Sequence, residues 1–178
     1  TQNRTLSLIL PAFGAAIIAA LAQIIIPIGA VPITLQTFAI GLVAAILKPR
    51  EATLAATLYL ILGAIGLPVF AGGGGGLQAF FGPSAGYLLA YPFFALVTSA
   101  LAHAKTPIWK IFLAFVLGDA LVFVGGILSL HFLGKMGWSA AVAVGLTPFI
   151  IPDLLKGLIV ALVTKPVLKA LKNHSYFN

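Results

Sequence analysis

Apolar runs of about the length needed to cross a bilayer recur six times, and they restrict the fold more than any other feature. A membrane-spanning helix needs roughly 20 apolar residues, so the second and third runs are short. Only 7% of the residues are charged, against about 25% in a soluble domain. We therefore predict an all-α membrane protein, a single domain over residues 1–178 with six transmembrane helices in one bundle. The runs cover residues 6–26, 34–47, 52–65, 85–102, 108–130 and 148–163.

The first run is long enough to span and lacks the pattern of a cleaved signal peptide, so we expect it to belong to the bundle. Basic residues lie mostly between the runs, and with six spans both termini share one side of the membrane. Lys135 falls on the other side. Cytoplasmic loops are enriched in Lys and Arg, so cytoplasmic termini are predicted, and the net charge of +7 is interpreted as a topology signal and not as nucleic-acid binding. The residues on the side of the termini are Arg4, Lys48, Arg50, Lys105, Lys110, Lys165, Lys169 and Lys172.

Asp153 and Lys156 form an acid–base pair inside the sixth run. Residues three apart share a helix face, and a charge inside a bilayer costs about 2.5–3.5 kcal/mol on insertion scales, so such a charge usually faces the protein interior. Pro152 suits the first helical position, which places Asp153 in the first turn, where the helix dipole favours a carboxylate. Either the pair is purely structural or it belongs to a binding site.

Three irregular stretches fall at the same outer face: residues 31–36, the glycine-rich loop with its continuation to residue 83, and residues 152–156. Irregular backbone at membrane depth is tolerated where it lines a cavity or is buried in protein. We therefore predict a pocket that opens to the outside. Residues 72–76 are five consecutive glycines, which let backbone groups approach a ligand closely; the alternative is a flexible outer loop.

Tyr87 and Tyr91 lie four residues apart on one face of the fourth helix. They either line the pocket with rings and hydroxyls or belong to the aromatic belt at the membrane interface. Asp119 lies near the middle of the fifth span, where it is a proton or cation site, a protonated acid, or a partner of a neighbouring helix.

Several chemistries are disfavoured. The five glycines are not followed by Lys-Ser/Thr and no strand precedes them, so they are not a nucleotide-binding loop. Residues 82–86 match G-x-S-x-G, but neither a preceding strand nor a nearby His supports a nucleophile elbow, and Ser84 is explained as a helix N-cap. Cysteine is absent, and three acids and three His are too widely spread for a metal site. No cofactor is expected.

Small residues recur every four positions in the first helix, at Ala12, Ala16 and Ala20. Such stripes let two membrane helices approach closely. The stripe is either a docking face for a partner subunit or a consequence of a helix rich in alanine.

The chain resembles the biotin-specific substrate-binding subunits (S components, the BioY family) of energy-coupling-factor (ECF) vitamin transporters. Three stretches carry the resemblance: Val-Pro-Ile-Thr-Leu-Gln-Thr-Phe at residues 31–38, Tyr-Leu-Ile-Leu-Gly-Ala-Ile-Gly-Leu-Pro-Val-Phe at residues 59–70 with its glycine-rich continuation to Tyr87, and residues 148–156 with Asp153 and Lys156. Together with the six spans they cover nearly the whole chain. Asp119 and His131 are not part of the resemblance, so their roles stay open.

The resemblance implies a non-enzymatic, high-affinity biotin binder in a prokaryotic cell membrane. It would work with a transmembrane coupling subunit, facing the alanine-rich first helix, and with two separate cytoplasmic ATPases. Asp153 would accept from a ureido N–H of biotin, and Lys156 would donate to the ureido oxygen or hold Asp153 in place. The expected ligand-binding residues are Thr34, Gln36, Phe70, Gly73, Gly74, Gly75, Tyr87, Tyr91, Asp153 and Lys156.

Four other functions remain open on the residues alone. They are an S component for another vitamin, an intramembrane enzyme that uses Ser84, a proton-coupled carrier that uses Asp119, and a structural membrane subunit.

Overall fold

A computed structural model describes residues 2–27, 31–103 and 105–177. Helices dominate these residues, with one two-stranded antiparallel ribbon, β1 (Ile25–Ile26) and β2 (Ile33–Thr34). Short 3₁₀ turns occur at Ala71–Gly73, Leu77–Phe80 and Thr147–Phe149. The α-helices are α1 (Gln2–Leu21), α2 (Gln36–Ile46), α3 (Pro49–Ala64), α4 (Ala85–Leu101), α5 (Ile108–Phe132), α6 (Trp138–Gly145) and α7 (Ile150–Leu171).

Helices α1–α5 and α7 occupy the six predicted apolar runs, which confirms the all-α, six-helix class. Three segments are long and apolar enough to cross a membrane, namely Arg4–Leu21, Ile108–Phe132 and Trp138–Leu171, while Gln36–Ile46 and Ala85–Leu101 are apolar but shorter. Large apolar side chains such as Phe13 and Phe93 are exposed on the outside of the bundle, as contact with lipid requires.

Some predicted boundaries are wrong. The sixth span does not stop before Lys165-Pro166, because α7 continues through Pro166 to Leu171; proline is tolerated in membrane helices when neighbouring groups satisfy the freed backbone. The same helix starts at Ile150, so Pro152 is its third residue and not its first. Helix α6 lies in the predicted loop at residues 131–145. The predicted break at residues 27–32 includes 28–30, which lie outside the described residues.

Helix packing brings the starts of α2, α4 and α7 to one end of the bundle. Helix α2 packs against α4 and α7, α4 runs along α5, and α1 packs against α3. The core around α2 is apolar and fully buried, with Ile40, Tyr59, Phe94 and Phe115 at its centre. Because the irregular segments precede α2, α4 and α7, the packing gathers them at that same end.

Candidate functional site

A cavity of about 420 Å³ lies at the end of the bundle where α2, α4 and α7 begin. This volume falls in the range of roughly 300–1,000 Å³ that is common for small-molecule sites. Its lining draws on all three irregular stretches, including Pro32, Gly74 and Asp153. The predicted meeting of these stretches around one pocket is therefore confirmed; the side of the membrane to which it opens stays a prediction.

The acid–base pair forms the polar floor of the cavity. Lys156 Nζ donates to Asp153 Oδ1 at 2.5 Å and to Thr37 Oγ1 of α2 at 3.0 Å. Both charged residues are buried, at 4% exposure for Asp153 and 8% for Lys156. An ammonium group has three donors and a carboxylate has two acceptor oxygens. Lys156 therefore keeps one N–H without a hydrogen-bond partner among the described residues. The Asp153 carboxylate also forms a side-chain hydrogen bond with Asp119, but its two oxygens offer about four acceptor positions, so it can still accept from a ligand. Both side chains line the cavity.

Gln36, the first residue of α2, is fixed by a second polar network. Its Oε1 accepts from Thr34 Oγ1 at 3.0 Å and from Tyr91 OH at 3.2 Å, while its Nε2 donates to Tyr59 OH at 2.7 Å. Both acceptor positions of the amide oxygen are thereby used. One Nε2 hydrogen is left without a partner within the part of the chain that the structure describes, so the amide can donate it to a ligand.

The glycine-rich segment forms the roof of the cavity. Phe70, Gly74 and Gly75 line it, whereas Gly73, also expected in the site, does not. Gly72 and Gly73 have φ values of 65° and 81°, which L side chains rarely adopt. Hydrogen bonds hold the segment in place, since Phe70 N donates to Gly74 O at 2.9 Å and Gly76 N donates to Gly63 O at 2.7 Å.

Tyr87 and Tyr91 both line the cavity. The hydroxyl of Tyr87 donates to Gly145 O at 2.7 Å, which ties α4 to the end of α6. Gly126 leaves the space that the Tyr87 ring fills, because a Cβ at that position would overlap the ring. Helix α6, absent from the sequence-based prediction, therefore orients an expected site residue.

The structure adds residues that the motifs did not single out. Thr37 binds Lys156, and Phe123 and Phe149 supply apolar walls. The sequence feature that could have identified Thr37 is its hydroxyl group, which lies inside an apolar span directly after Gln36. Asp119 is buried, lies close enough to Asp153 and Lys156 to interact electrostatically with both, and leaves its Oδ1 without a partner among the described residues.

The structure does not support a catalytic role for Ser84 or for His131. Ser84 occupies the N-cap position of α4 and lines the cavity, but its side chain makes no capping hydrogen bond, so that part of the prediction is wrong. Histidine does not occur among the described residues lining the cavity. His131 instead stacks on Trp138, with ring centroids 3.8 Å apart, and its Nδ1 pairs with Met136 O.

The stripe on α1 faces outward. Ala12, Ala16 and Ala20 are exposed, whereas Ala15 and Ile18 on the opposite side of the helix are buried against the bundle. The three alanines are therefore not an internal packing face.

The chain has clear similarity to known proteins. Residues 1–173 match the family model described as the BioY family. The biotin transporter BioY2 of Lactococcus lactis subsp. cremoris (strain MG1363) is 44% identical, covering 99% of this chain and 98% of the relative. The biotin transporter BioY of Thermotoga maritima is 39% identical over 80% of this chain and 83% of its own length. A crystal structure of the S-component for biotin from an ECF-type ABC transporter superposes with a TM-score of 0.85 and 28% identity, covering 100% of this chain and 99% of that one.

Proposed function

The chain belongs to the BioY family, and from this premise we propose that it is the biotin-binding S component of an ECF-type, ATP-dependent uptake transporter. It is a transport subunit and not an enzyme. The observation that carries the proposal is the buried Asp153–Lys156 pair at the floor of a small cavity, with acceptor positions on the carboxylate and one N–H of Lys156 left for a ligand.

The ureido group of biotin, with two N–H donors and one carbonyl, is complementary to these unused groups. A remaining acceptor position of the Asp153 carboxylate accepts from a ureido N–H, and the third N–H of Lys156 donates to the ureido oxygen. Gln36 contributes its spare amide hydrogen to the same polar end of the cavity. A site that pairs buried polar groups rejects analogues that lack the matching partners by large factors, so this floor would supply specificity.

The apolar part of the ligand meets aromatic walls. Phe70, Tyr87 and Phe149 line the cavity, and such rings bury large areas of apolar ligand surface. The thioether ring would lie against them beneath the glycine-rich roof, where Gly74 and Gly75 allow backbone to come close. Gly73 lies outside the lining, and we assign it to the shape of the roof and not to ligand contact.

The remaining features concern assembly and orientation. The chain would act as one six-helix substrate-binding domain in a prokaryotic cell membrane, with cytoplasmic termini and the cavity open to the outside. A transmembrane coupling subunit would dock on the exposed stripe of Ala12, Ala16 and Ala20, and two cytoplasmic ATPases would complete the transporter. The outward orientation of the stripe supports this placement.

Binding of radiolabelled biotin to the purified chain in detergent tests the proposal. We expect saturable binding that is competed by excess unlabelled biotin and by desthiobiotin, which keeps the ureido group but lacks the thioether ring. Diaminobiotin, which lacks the ureido carbonyl, should compete far more weakly. Absence of saturable binding would refute the function, and equal competition by diaminobiotin would refute the role of the charged floor.

A further inference from the structure

A second cavity, of about 1,460 Å³, lies at the opposite end of the bundle, between the α2–α3 turn, the α4–α5 connection and the last turns of α7. Part of its wall is apolar, including Ile46, Leu101, Leu168 and Phe177. The charged groups in its lining are all basic. They are Lys48, Lys105, Lys110, Lys165, Lys169 and Lys172.

Acidic side chains of this protein are too few to neutralise Lys48, Lys105, Lys110, Lys169 and Lys172 of this lining. The sequence contains three acids in total, Glu51, Asp119 and Asp153. Asp153 pairs with Lys156 in the first cavity and Asp119 lies beside them, at the other end of the bundle. Only Glu51 remains near the second cavity, and it is buried at 4% exposure. Three segments of the chain thus bring lysines together with too few carboxylates to balance them. We therefore expect an anion from outside the chain to bind here.

The chain after α7 builds one wall of the second cavity. Tyr176 is buried beneath the α2–α3 turn, where its hydroxyl donates to Glu51 Oε2 at 3.1 Å and accepts from Lys48 N at 3.2 Å. Burial raises the pKa of Tyr176 to about 12, so the hydroxyl keeps its proton at neutral pH. Lys48 Nζ lies 4.9 Å from the centroid of the same ring. These contacts fix the Lys48 side of the cavity against the C-terminal segment.

The opening of the cavity is continuous with lipid-facing surface. Leu101, in its lining, is exposed, and so are Ile108 and Trp109 at the start of α5. Tryptophan is enriched at membrane interfaces, and Lys110 Nζ lies 5.3 Å from the Trp109 ring centroid. Apolar walls next to a cluster of lysines are suited to a molecule with an anionic headgroup and acyl chains. An acidic segment of a soluble protein would leave those walls uncovered.

We propose that this cavity binds the headgroup of an anionic phospholipid, with the phosphodiester among the lysines and the acyl chains along the exposed start of α5. Basic pockets between transmembrane helices bind the headgroups of anionic phospholipids. The site is separate from the proposed biotin cavity, because the two share no lining residue. A phospholipid held here would brace the ends of α4, α5 and α7 against one another.

The test uses the purified full chain in an uncharged detergent, titrated with phosphatidylglycerol or phosphatidylcholine, with bound lipid counted by native mass spectrometry. The test variant carries Lys105→Gln, Lys169→Gln and Lys172→Gln, three exposed cavity lysines. A matched control removes three exposed basic groups that are not in the lining, with the substitutions Arg4→Gln, Arg50→Gln and Lys135→Gln. Both variants lose three formal charges and should bind biotin as the unmodified chain does.

We expect the unmodified chain and the control variant to prefer phosphatidylglycerol over phosphatidylcholine, and the cavity variant to lose roughly tenfold or more in affinity for it. Equal loss in the control variant would show bulk charge attraction and overturn the site. Release of the lipid by inorganic phosphate at comparable concentration would show a site for free phosphate and not for lipid. Release by a purified coupling subunit would show a protein interface. Either result overturns the proposal.

Discussion

The Asp153–Lys156 pair gives the sharpest test, because a structural pair and a ligand-binding pair respond differently to removal of both charges. Replacing Lys156 with Met leaves a carboxylate at 4% exposure without its cation. Breaking a buried pair in this way costs about 3–5 kcal/mol of stability. Asp153→Asn in the same background removes the stranded charge. Exchange of a whole buried pair for neutral groups is often neutral or stabilising, so the double variant should regain most of its melting temperature.

Biotin affinity should not recover with stability. Asp153→Asn alone exchanges an acceptor oxygen for a donor, which should weaken binding at least about tenfold, or 1.4 kcal/mol. Hydrogen bonds to charged groups contribute about 1.5–3 kcal/mol each, and the double variant has lost both charges. Thermal unfolding in detergent measures the first quantity and calorimetric titration with biotin measures the second, on the same three variants.

Thr164→Val provides the matched control on the same helix. Thr164 is buried in α7, and its Oγ1 has no hydrogen-bond partner among the described residues. Its replacement by an isosteric apolar side chain should leave stability unchanged or raised and leave biotin affinity unaltered. A double Asp153→Asn/Lys156→Met variant that regains stability and binds biotin normally would show a purely structural pair. Normal affinity in Asp153→Asn alone would refute the assignment of Asp153.

Three further predictions concern the loop, the helix crossing and the partner surface. We predict that residues 72–76 close over bound biotin, because five glycines do not hold one conformation unaided; hydrogen exchange there should slow when biotin is added, and equal exchange with and without ligand would argue against this closure. Gly125→Ala should lower the melting temperature because its Cβ would meet Gly86 O of α4, whereas Gly137→Ala meets nothing within 4 Å and should not. Ala16→Trp should block co-purification with the coupling subunit and abolish uptake while biotin binding survives; normal co-purification would place the docking surface elsewhere.

Hydropathy alone predicts six apolar runs because lipid requires long apolar helices, and the structure places a helix at each of them. It does not predict helix ends, because these depend on neighbours. Pro166 looks like a stop in sequence, yet α7 continues past it. Helix α6 is eight residues long, too short for a membrane-span criterion to detect.

Part of the site could also be predicted from the sequence. Asp153, Lys156 and Gln36 stand out because polar side chains are rare in apolar runs, and all three line the cavity. Their partners are less visible, because contacts between helices depend on rotation and depth. Nothing in the sequence places Asp119 of α5 beside Asp153 of α7, and nothing links Tyr87 to Gly145 across 58 residues.

Charge has opposite roles at the two ends of this bundle. In the first cavity Asp153 and Lys156 balance each other deep in apolar surroundings, where an unpaired charge would be costly, so the uncharged ureido group of biotin adds hydrogen bonds there without adding net charge at the pair. The lining of the second cavity carries six lysines, and Glu51, which pairs with Tyr176 beside it, is buried. That cavity is open and long lysine side chains reach toward the interface, so a counter-charge can come from the surroundings. The same difference predicts salt dependence: added salt should weaken phosphatidylglycerol binding by screening exposed lysines and leave biotin affinity nearly unchanged.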